Sequence, residues 1–110
     1  MLSKKIALTV REAALDKKAE NPVILDVGKL TNVARFFVVM HGNSMPHVKA
    51  IADNIENVMK AKKSPVWHVE GLEHGQWVLL DFGDVLVHIF HKDIRDFYGL
   101  ERLWGEAPTL

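Results

Sequence analysis

The stretch WVLLDFGDVLVHIF, residues 77–90, consists of two apolar runs separated by Gly83-Asp84. This pattern predicts a β-hairpin with strands over 77–82 and 85–90. Side chains alternate between the two faces of a strand, so the two faces of the hairpin differ in character. One face is entirely apolar and is expected to pack against the core: Val78, Leu80, Phe82, Val85, Val87 and Ile89.

The second face of the hairpin mixes apolar side chains with acids and an imidazole: Trp77, Leu79, Asp81, Asp84, Leu86, His88 and Phe90. A two-residue turn at Gly83-Asp84 pairs Trp77 with Phe90, and a turn one residue earlier pairs it with His88; both preserve this face. Either a helix covers the face and Trp77 belongs to the core, or the face is a surface for a partner. Protein interfaces favour Trp and Tyr anchors inside a polar rim. The pattern alone favours the covered face.

The rest of the chain predicts helices and further strands around one sheet. The run at 36–40 is apolar on both faces and is expected to lie inside the sheet. The predicted elements are a helix over 3–20 with Ser3 as its cap, strands over 23–27 and 36–40, a helix capped by Ser44, strands over 66–69, 77–82 and 85–90, and a helix from Asp93 that Gly99 interrupts. The fold class is therefore α/β, a mixed sheet of about five strands with helices packed on it in the order α-β-β-α-β-β-β-α.

Length and composition limit the possible functions. The 110 residues provide for one domain, residues 1–110, and the absence of cysteine excludes a disulfide scaffold, thiolate metal sites and a Cys nucleophile. No apolar run approaches the roughly 20 residues that span a bilayer. The first helix carries Arg11, Glu12 and Asp16, unlike the apolar segment of a secretory signal. We therefore expect a soluble, cytoplasmic protein without a membrane partner.

The charge is balanced in total but unevenly distributed. The chain has 14 basic and 14 acidic side chains. Residues 1–65 hold 11 basic and 6 acidic side chains, whereas residues 66–110 hold 3 basic and 8 acidic ones. A neutral total argues against a dedicated nucleic-acid binder, whose affinity comes largely from phosphate neutralisation. The acidic half indicates either a basic partner or an ordinary solvated surface.

Two motifs suggest chemistry but have simpler explanations. His88 and His91 are three residues apart on a strand, so their rings diverge, and no Cys or HExxH helix supports a metal site. Gly42-Asn43-Ser44 precedes a helix, as anion-binding loops do, and is similar to the Gly-Ser element of nucleotidyltransferases. Such enzymes also need paired carboxylates on a neighbouring strand, and residues 66–70 hold no such pair. Ser44 is most simply a helix cap.

Several segments together resemble the Iojap, or ribosomal silencing factor, family. The run at 77–90 is the most specific of them, and the resemblance covers roughly residues 5–106. The other matching segments are Leu25-Asp26-Val27, Leu30-Thr31, Phe36–Val39, Gly42-Asn43-Ser44, Val48–Asp53, His68–Leu72 and Leu100–Trp104.

The resemblance implies a nucleotidyltransferase-like fold that has lost catalysis and takes no cofactor or metal. It implies binding to the large ribosomal subunit through a basic ribosomal protein, the fourteenth of its series, which obstructs joining of the small subunit and lowers translation when nutrients are scarce. It also favours the second face of the hairpin as a partner surface, and such a surface predicts a weak homodimer when it is free. The partner-binding residues that we then expect are Trp77, Leu79, Asp81, Asp84, Leu86, His88, Tyr98 and Trp104. The alternative is an enzyme that acts on a nucleotide through the Gly42–Ser44 loop.

Overall fold

The structure, a computed structural model, describes residues 1–110, with four helices around one sheet of five strands. The expected order of elements is confirmed, with the last helix divided into two at Gly99, where φ is 60°. The elements are α1 (Ser3–Asp16), β1 (Glu20–Asp26), β2 (Phe36–Gly42), α2 (Met45–Ala61), β3 (His68–Glu70), β4 (Trp77–Asp81), β5 (Val85–His91), α3 (Lys92–Tyr98) and α4 (Leu100–Leu103).

The strands lie in the order β1-β2-β5-β4-β3, and only β2 and β5 are parallel. A parallel pair needs a long crossover, and the segment from α2 through β4 supplies it. The apolar strand β2 lies inside the sheet as expected, although β5 is its middle strand. The hairpin turn is Gly83-Asp84, since Trp77 pairs with Phe90 and the amide of Phe82 donates to the Val85 carbonyl at 2.9 Å.

Helices α1 and α2 cover one face of the sheet and enclose the main core. The six apolar residues of the hairpin's core face are all buried in this core, which confirms their predicted orientation. Helix α2 begins as predicted, because the Ser44 side chain accepts a hydrogen bond from the His47 amide at 3.1 Å and Pro46 lies in the first turn.

The predicted start and end of α1 were wrong. Leu2, not Ser3, occupies the cap position, and the Ser3 hydroxyl donates instead to the Asp84 carboxylate at 3.2 Å. The helix ends at Asp16 rather than near residue 20, because Lys18 adopts a left-handed conformation with φ of 59°. Asn21 and Pro22, which directly follow the predicted helix, lie within β1, where the register with β2 is irregular.

The second face of the sheet is covered in part by α3, α4 and the C-terminal residues. A smaller apolar cluster lies there, built mainly on β1 and β2. The last residues follow the outer edge of β1, where the Asp26 amide donates to the Pro108 carbonyl and the Leu110 amide to the Ile24 carbonyl. No helix in the protein has both the length and the apolar character needed to cross a membrane.

Candidate partner-binding surface

The part of the second face over β4 and β5 remains partly open. Trp77 is 37% exposed and Tyr98 is 53% exposed. Leu79, Leu86 and Trp104 are half-buried around them. We call these five residues the aromatic surface. Neither of the two expectations for this face was complete, because helices cover one side of it and leave the hairpin side accessible.

Ring-to-ring contacts connect the three aromatic residues of this surface. The Trp77 ring centroid lies 4.7 Å from that of Tyr98 and 6.0 Å from that of His88. Phe37 lies 5.3 Å from His88 and 5.3 Å from Trp104, in both cases edge to face. Aromatic pairs in this distance range attract one another beyond simple burial. Trp77 of β4, Tyr98 of α3 and Trp104 are therefore brought together, with His88 and Phe37 as shared neighbours.

His88 lies beneath the aromatic surface rather than on it, which corrects its expected position. The side chain is buried, and its Nδ1 accepts a hydrogen bond from the Trp77 indole N–H at 3.2 Å. An indole nitrogen can only donate, so Nδ1 is unprotonated and Nε2 carries the proton. Nε2 is itself buried without a hydrogen-bond partner. Burial lowers the pKa of His88 to about 4, so the imidazole is neutral at pH 7.

The two acids expected at the rim differ in their placement. Asp81 is half-buried, and its Oδ1 accepts a hydrogen bond from the Gly83 amide at 2.7 Å, which closes the hairpin turn. Asp84 is exposed, and its carboxylate accepts a hydrogen bond from the hydroxyl of Ser3 in α1, the helix on the opposite face of the sheet. Its expected position on the second face was wrong because a turn residue does not follow the alternation of a strand.

Two exposed apolar residues beside this surface were not among the predicted site residues. Phe97 is 77% exposed and stacks edge to face on Tyr98 with centroids 5.3 Å apart. Leu103, directly before Trp104, is 76% exposed. The spacing of Ile94, Phe97 and Tyr98 along one helix face was a usable signal. In a helix of only two turns, however, spacing alone does not show which of them reaches the sheet.

A buried arginine, also absent from the sequence predictions, fastens α3 and α4 to the sheet. The Arg95 Nε donates to Glu101 at 2.7 Å, and its Nη1 donates to His41 Nδ1 at 2.9 Å. His41 therefore carries its proton on Nε2, which lies 3.0 Å from a Glu20 carboxylate oxygen. Hydrogen bonds from Asn43 and then His41 lower the pKa of Glu20. This network fixes the helices that carry Tyr98 and Trp104.

The space beside the Gly42–Ser44 loop is occupied by the side chain of His47 from α2. The Asn43 amide donates to His47 Nδ1 at 2.9 Å, and the Asn43 side chain donates to Glu20 at 3.1 Å. A Cβ at Gly42 would lie 3.1 Å from His47 Nδ1, so the imidazole occupies the space beside the loop. The Asn43 amide is therefore already paired and does not face an open anion site.

The histidines do not form a metal centre. His91 faces away from His88, and its Nδ1 accepts from the Asp93 amide at 3.2 Å, which caps α3. No group of three or more His, Asp or Glu side chains is placed to hold a metal ion.

Comparison with known proteins shows which family the chain matches. The family model described as "Ribosomal silencing factor during starvation" matches residues 2–110. The chain is similar to a ribosomal silencing factor of Bacillus subtilis, with 44% identity over 97% of this chain and 92% of the relative. It is also similar to the chloroplastic protein Iojap of Zea mays, with 35% identity over 94% of this chain and 45% of that longer protein.

Solved structures show the same fold. A crystal structure of a Chromobacterium violaceum protein superposes with a TM-score of 0.93 at 37% identity and covers 96% of this chain and 88% of that one. A crystal structure from Bacillus halodurans superposes with a TM-score of 0.86 at 40% identity and covers 98% of both chains.

Proposed function

This chain belongs to the ribosomal silencing factor family, and we propose that it binds the large ribosomal subunit, prevents the small subunit from joining and thereby lowers translation when nutrients are scarce. It acts as a binding factor in the cytoplasm, without catalysis and without a cofactor. Its contact on the large subunit is a basic ribosomal protein, the fourteenth of its series. The likeness of the fold to nucleotidyltransferases remains a prediction.

The single observation that carries the proposal is the aromatic surface. Interfaces concentrate their binding energy in a few buried aromatic anchors, and Trp77 is well suited to this role. Its ring is held by Tyr98 on one side and by the hydrogen bond to His88 on the other. A side chain that is already fixed loses little conformational entropy on binding. Leu79, Leu86 and Trp104 complete the apolar area around it.

The charge distribution supports a basic partner. Residues 66–110, which form the hairpin and the helices beside it, have 8 acidic and 3 basic side chains. Asp81 lies at the rim of the aromatic surface, whereas Asp84 contributes only at longer range because it points towards α1. Rim charges mainly raise the association rate, and salt weakens their effect.

The size of the molecule is sufficient for steric obstruction. The protein measures 34 × 34 × 21 Å, and the aromatic surface lies on a broad side of the sheet. When that side is seated on the large subunit, the body of the protein projects by about its own thickness. Atoms of two subunits are in direct contact only within roughly 4 Å of each other, so an obstacle much thinner than this protein would already keep the subunits apart.

Binding to separated subunits tests this proposal. Purified large and small subunits are mixed with the wild-type protein, with Trp77→Ala and with Leu15→Ala. Leu15 is 49% exposed on α1, away from the aromatic surface, and provides a matched control. We expect binding to large subunits only, and a loss of about thirtyfold or more in affinity for Trp77→Ala alone, which corresponds to roughly 2 kcal/mol.

Thermal melting of the same variants separates binding from folding. If Trp77→Ala loses affinity only in proportion to its lower melting temperature, Trp77 is a core residue. If it folds normally and binds like the wild type, the partner surface lies elsewhere on the protein.

The alternative function, turnover of a nucleotide at the Gly42–Ser44 loop, is tested by incubation with each nucleoside triphosphate and Mg²⁺ or Mn²⁺. We expect no transfer or hydrolysis above a buffer blank, because His47 already occupies the loop amide and no carboxylate pair stands beside it. Reproducible turnover that Ser44→Ala abolishes, with the fold intact, would establish the enzyme instead.

A further inference from the structure

A second exposed tryptophan lies at the turn end of the hairpin, outside the aromatic surface. Trp67 is 78% exposed just before β3, and its amide donates to the Asp81 carbonyl at 2.8 Å. Its benzene ring lies against Gly83, where an added Cβ would approach ring carbons to within 3.2–3.5 Å. The glycine therefore lets the indole rest close to the turn, while most of the ring surface stays open to solvent.

Trp67 borders a groove between the turn and the helix layer. The groove has a volume of about 550 Å³ and is formed by the start of α1, the segment after α2 and the hairpin turn. The buried side chains of Ile6 and Phe82 provide apolar contacts in it, and Lys63 lies at its side. The groove therefore combines the Trp67 ring, an apolar floor and the positive charge of Lys63.

Five lysines lie at this end of the helix layer, because α1 begins beside the end of α2, and one of them, Lys63, lines the groove. All of them are exposed, and none takes part in an ion pair: Lys4, Lys5, Lys60, Lys62 and Lys63. No acidic residue occurs in residues 1–11 or 57–69. The one acid that lines the groove is Asp84, whose carboxylate accepts the hydrogen bond from Ser3. Although the net charge of the chain is zero, the end of the helix layer beside the groove is therefore strongly basic.

We propose that this surface binds unpaired RNA, with a base stacked on Trp67 and the flanking phosphates against the lysines. Open aromatic rings beside basic side chains are the usual means of holding single-stranded RNA, because every base has a face that stacks. An acidic protein segment would be attracted by the lysines but would make little use of the exposed indole. The RNA contact is separate from the aromatic surface, and it is tested without ribosomes, so its failure leaves the proposed function unaffected.

The test measures binding of a fluorescein-labelled oligouridylate of about ten nucleotides, which matches the short sites of single-strand binders. Fluorescence anisotropy is recorded over a range of salt concentrations for the wild type, Trp67→Ala, Trp67→Phe and the double variant Lys62→Glu/Lys63→Glu. The matched control is Lys17→Glu/Lys18→Glu at the end of α1. That pair has the same charge and a similar backbone, with φ of 59° at Lys18 against 63° at Lys63, but it lies at the other end of the helix layer.

We expect Trp67→Ala to bind about tenfold more weakly with an unchanged salt dependence, and Trp67→Phe to recover most of the affinity. Reversing Lys62 and Lys63 should weaken binding and reduce the slope of log affinity against log salt by about 1.4. The control pair should have a much smaller effect. Circular dichroism confirms that each variant is folded.

Three results would overturn the proposal. The first is the absence of RNA binding by the wild type at low salt. The second is an equal loss of affinity in both lysine variants, which would indicate attraction by total charge alone. The third is that polyglutamate binds as tightly as the RNA and that Trp67→Ala affects neither, which would assign the surface to an acidic protein segment.

Discussion

At the scale of single residues, the pairing of Trp77 with His88 couples the position of the Trp77 ring, the proposed anchor, to the protonation of a buried imidazole. The neutral imidazole accepts the indole hydrogen bond, and a protonated ring has no lone pair with which to do so. His88 is thus a positioning residue that fixes the Trp77 ring. Because burial keeps the pKa of His88 at about 4, this arrangement persists throughout the physiological pH range.

The lowered pKa of His88 predicts a loss of stability in mild acid. Between pH 6.5, the ordinary pKa, and pH 4, the unfolded chain binds a proton that the folded protein does not. The free energy of unfolding should therefore fall as the pH decreases through this window, by roughly 3 kcal/mol at most. Urea denaturation measured at intervals across the window checks this.

Two variants isolate the contribution of His88. In His88→Gln the amide oxygen can still accept from Trp77 but does not titrate, so stability should vary much less between pH 6.5 and 4. His68→Gln changes an exposed histidine and should leave the pH dependence intact. An equal dependence in the wild type and His88→Gln would show that another group titrates. Glu20 and Asp26, whose pKa values are lowered from 4.5 and 3.8, act mainly below this window.

At the scale of secondary-structure elements, α3 and α4 are stabilised mainly by the contacts of Arg95, because both helices are short. Helices this short are unstable alone, so their position depends on tertiary contacts. We expect Arg95→Ala to lower the free energy of unfolding by roughly 2 kcal/mol, because it removes charged hydrogen bonds and leaves His41 without its donor. It should also weaken binding to large subunits, because Tyr98 and Trp104 are carried by this segment.

Arg102→Ala provides the comparison for Arg95→Ala. Arg102 is exposed and makes one hydrogen bond to the Asp96 carbonyl at 3.3 Å, so its loss should have little effect on stability. The backbone amides of α3 and α4 should exchange their hydrogens with solvent faster in Arg95→Ala than in Arg102→Ala. Equal exchange and equal stability in the two variants would contradict the role assigned to Arg95.

The hairpin and α3–α4 differ in how far the sequence predicts them. In the hairpin, alternation over two runs predicts the two strands and the core face, and both are confirmed. The sequence left two turns open, and the pairing of Trp77 with Phe90 selects Gly83-Asp84. The burial of His88 was not predictable in this way, because it depends on Phe37 and on the helices beside it. Arg95 shows the same limit, since its acceptors lie 75, 54 and 6 residues away in the chain. Patterns local in sequence predict elements, whereas contacts between distant elements determine the details of the site.

At the scale of the whole molecule, the two edges of the sheet are poor sites for association. The C-terminal residues pair with the outer edge of β1, and β3 at the other edge is only three residues long, with the polar side chains of His68 and Glu70 exposed. Covered or very short edges prevent strand-to-strand pairing between molecules. The aromatic surface with Phe97 and Leu103 is therefore the main apolar area left open on the sheet side opposite α1 and α2.

This arrangement predicts a weak, symmetric dimer that forms through the aromatic surface when no partner is present. Exposed apolar areas of this kind often pair, and a twofold axis lets the same surface serve both copies. Sedimentation velocity from low micromolar to near-millimolar concentration should show the dimer, and Phe97→Ser, which changes a side chain 77% exposed, should weaken it. Leu15→Ser on α1 should not weaken the dimer.

Because the dimer contact overlaps the proposed partner site, large subunits should bind only the monomer. A protein that stays monomeric at the highest concentration, or a dimer that binds large subunits unchanged, would contradict this prediction.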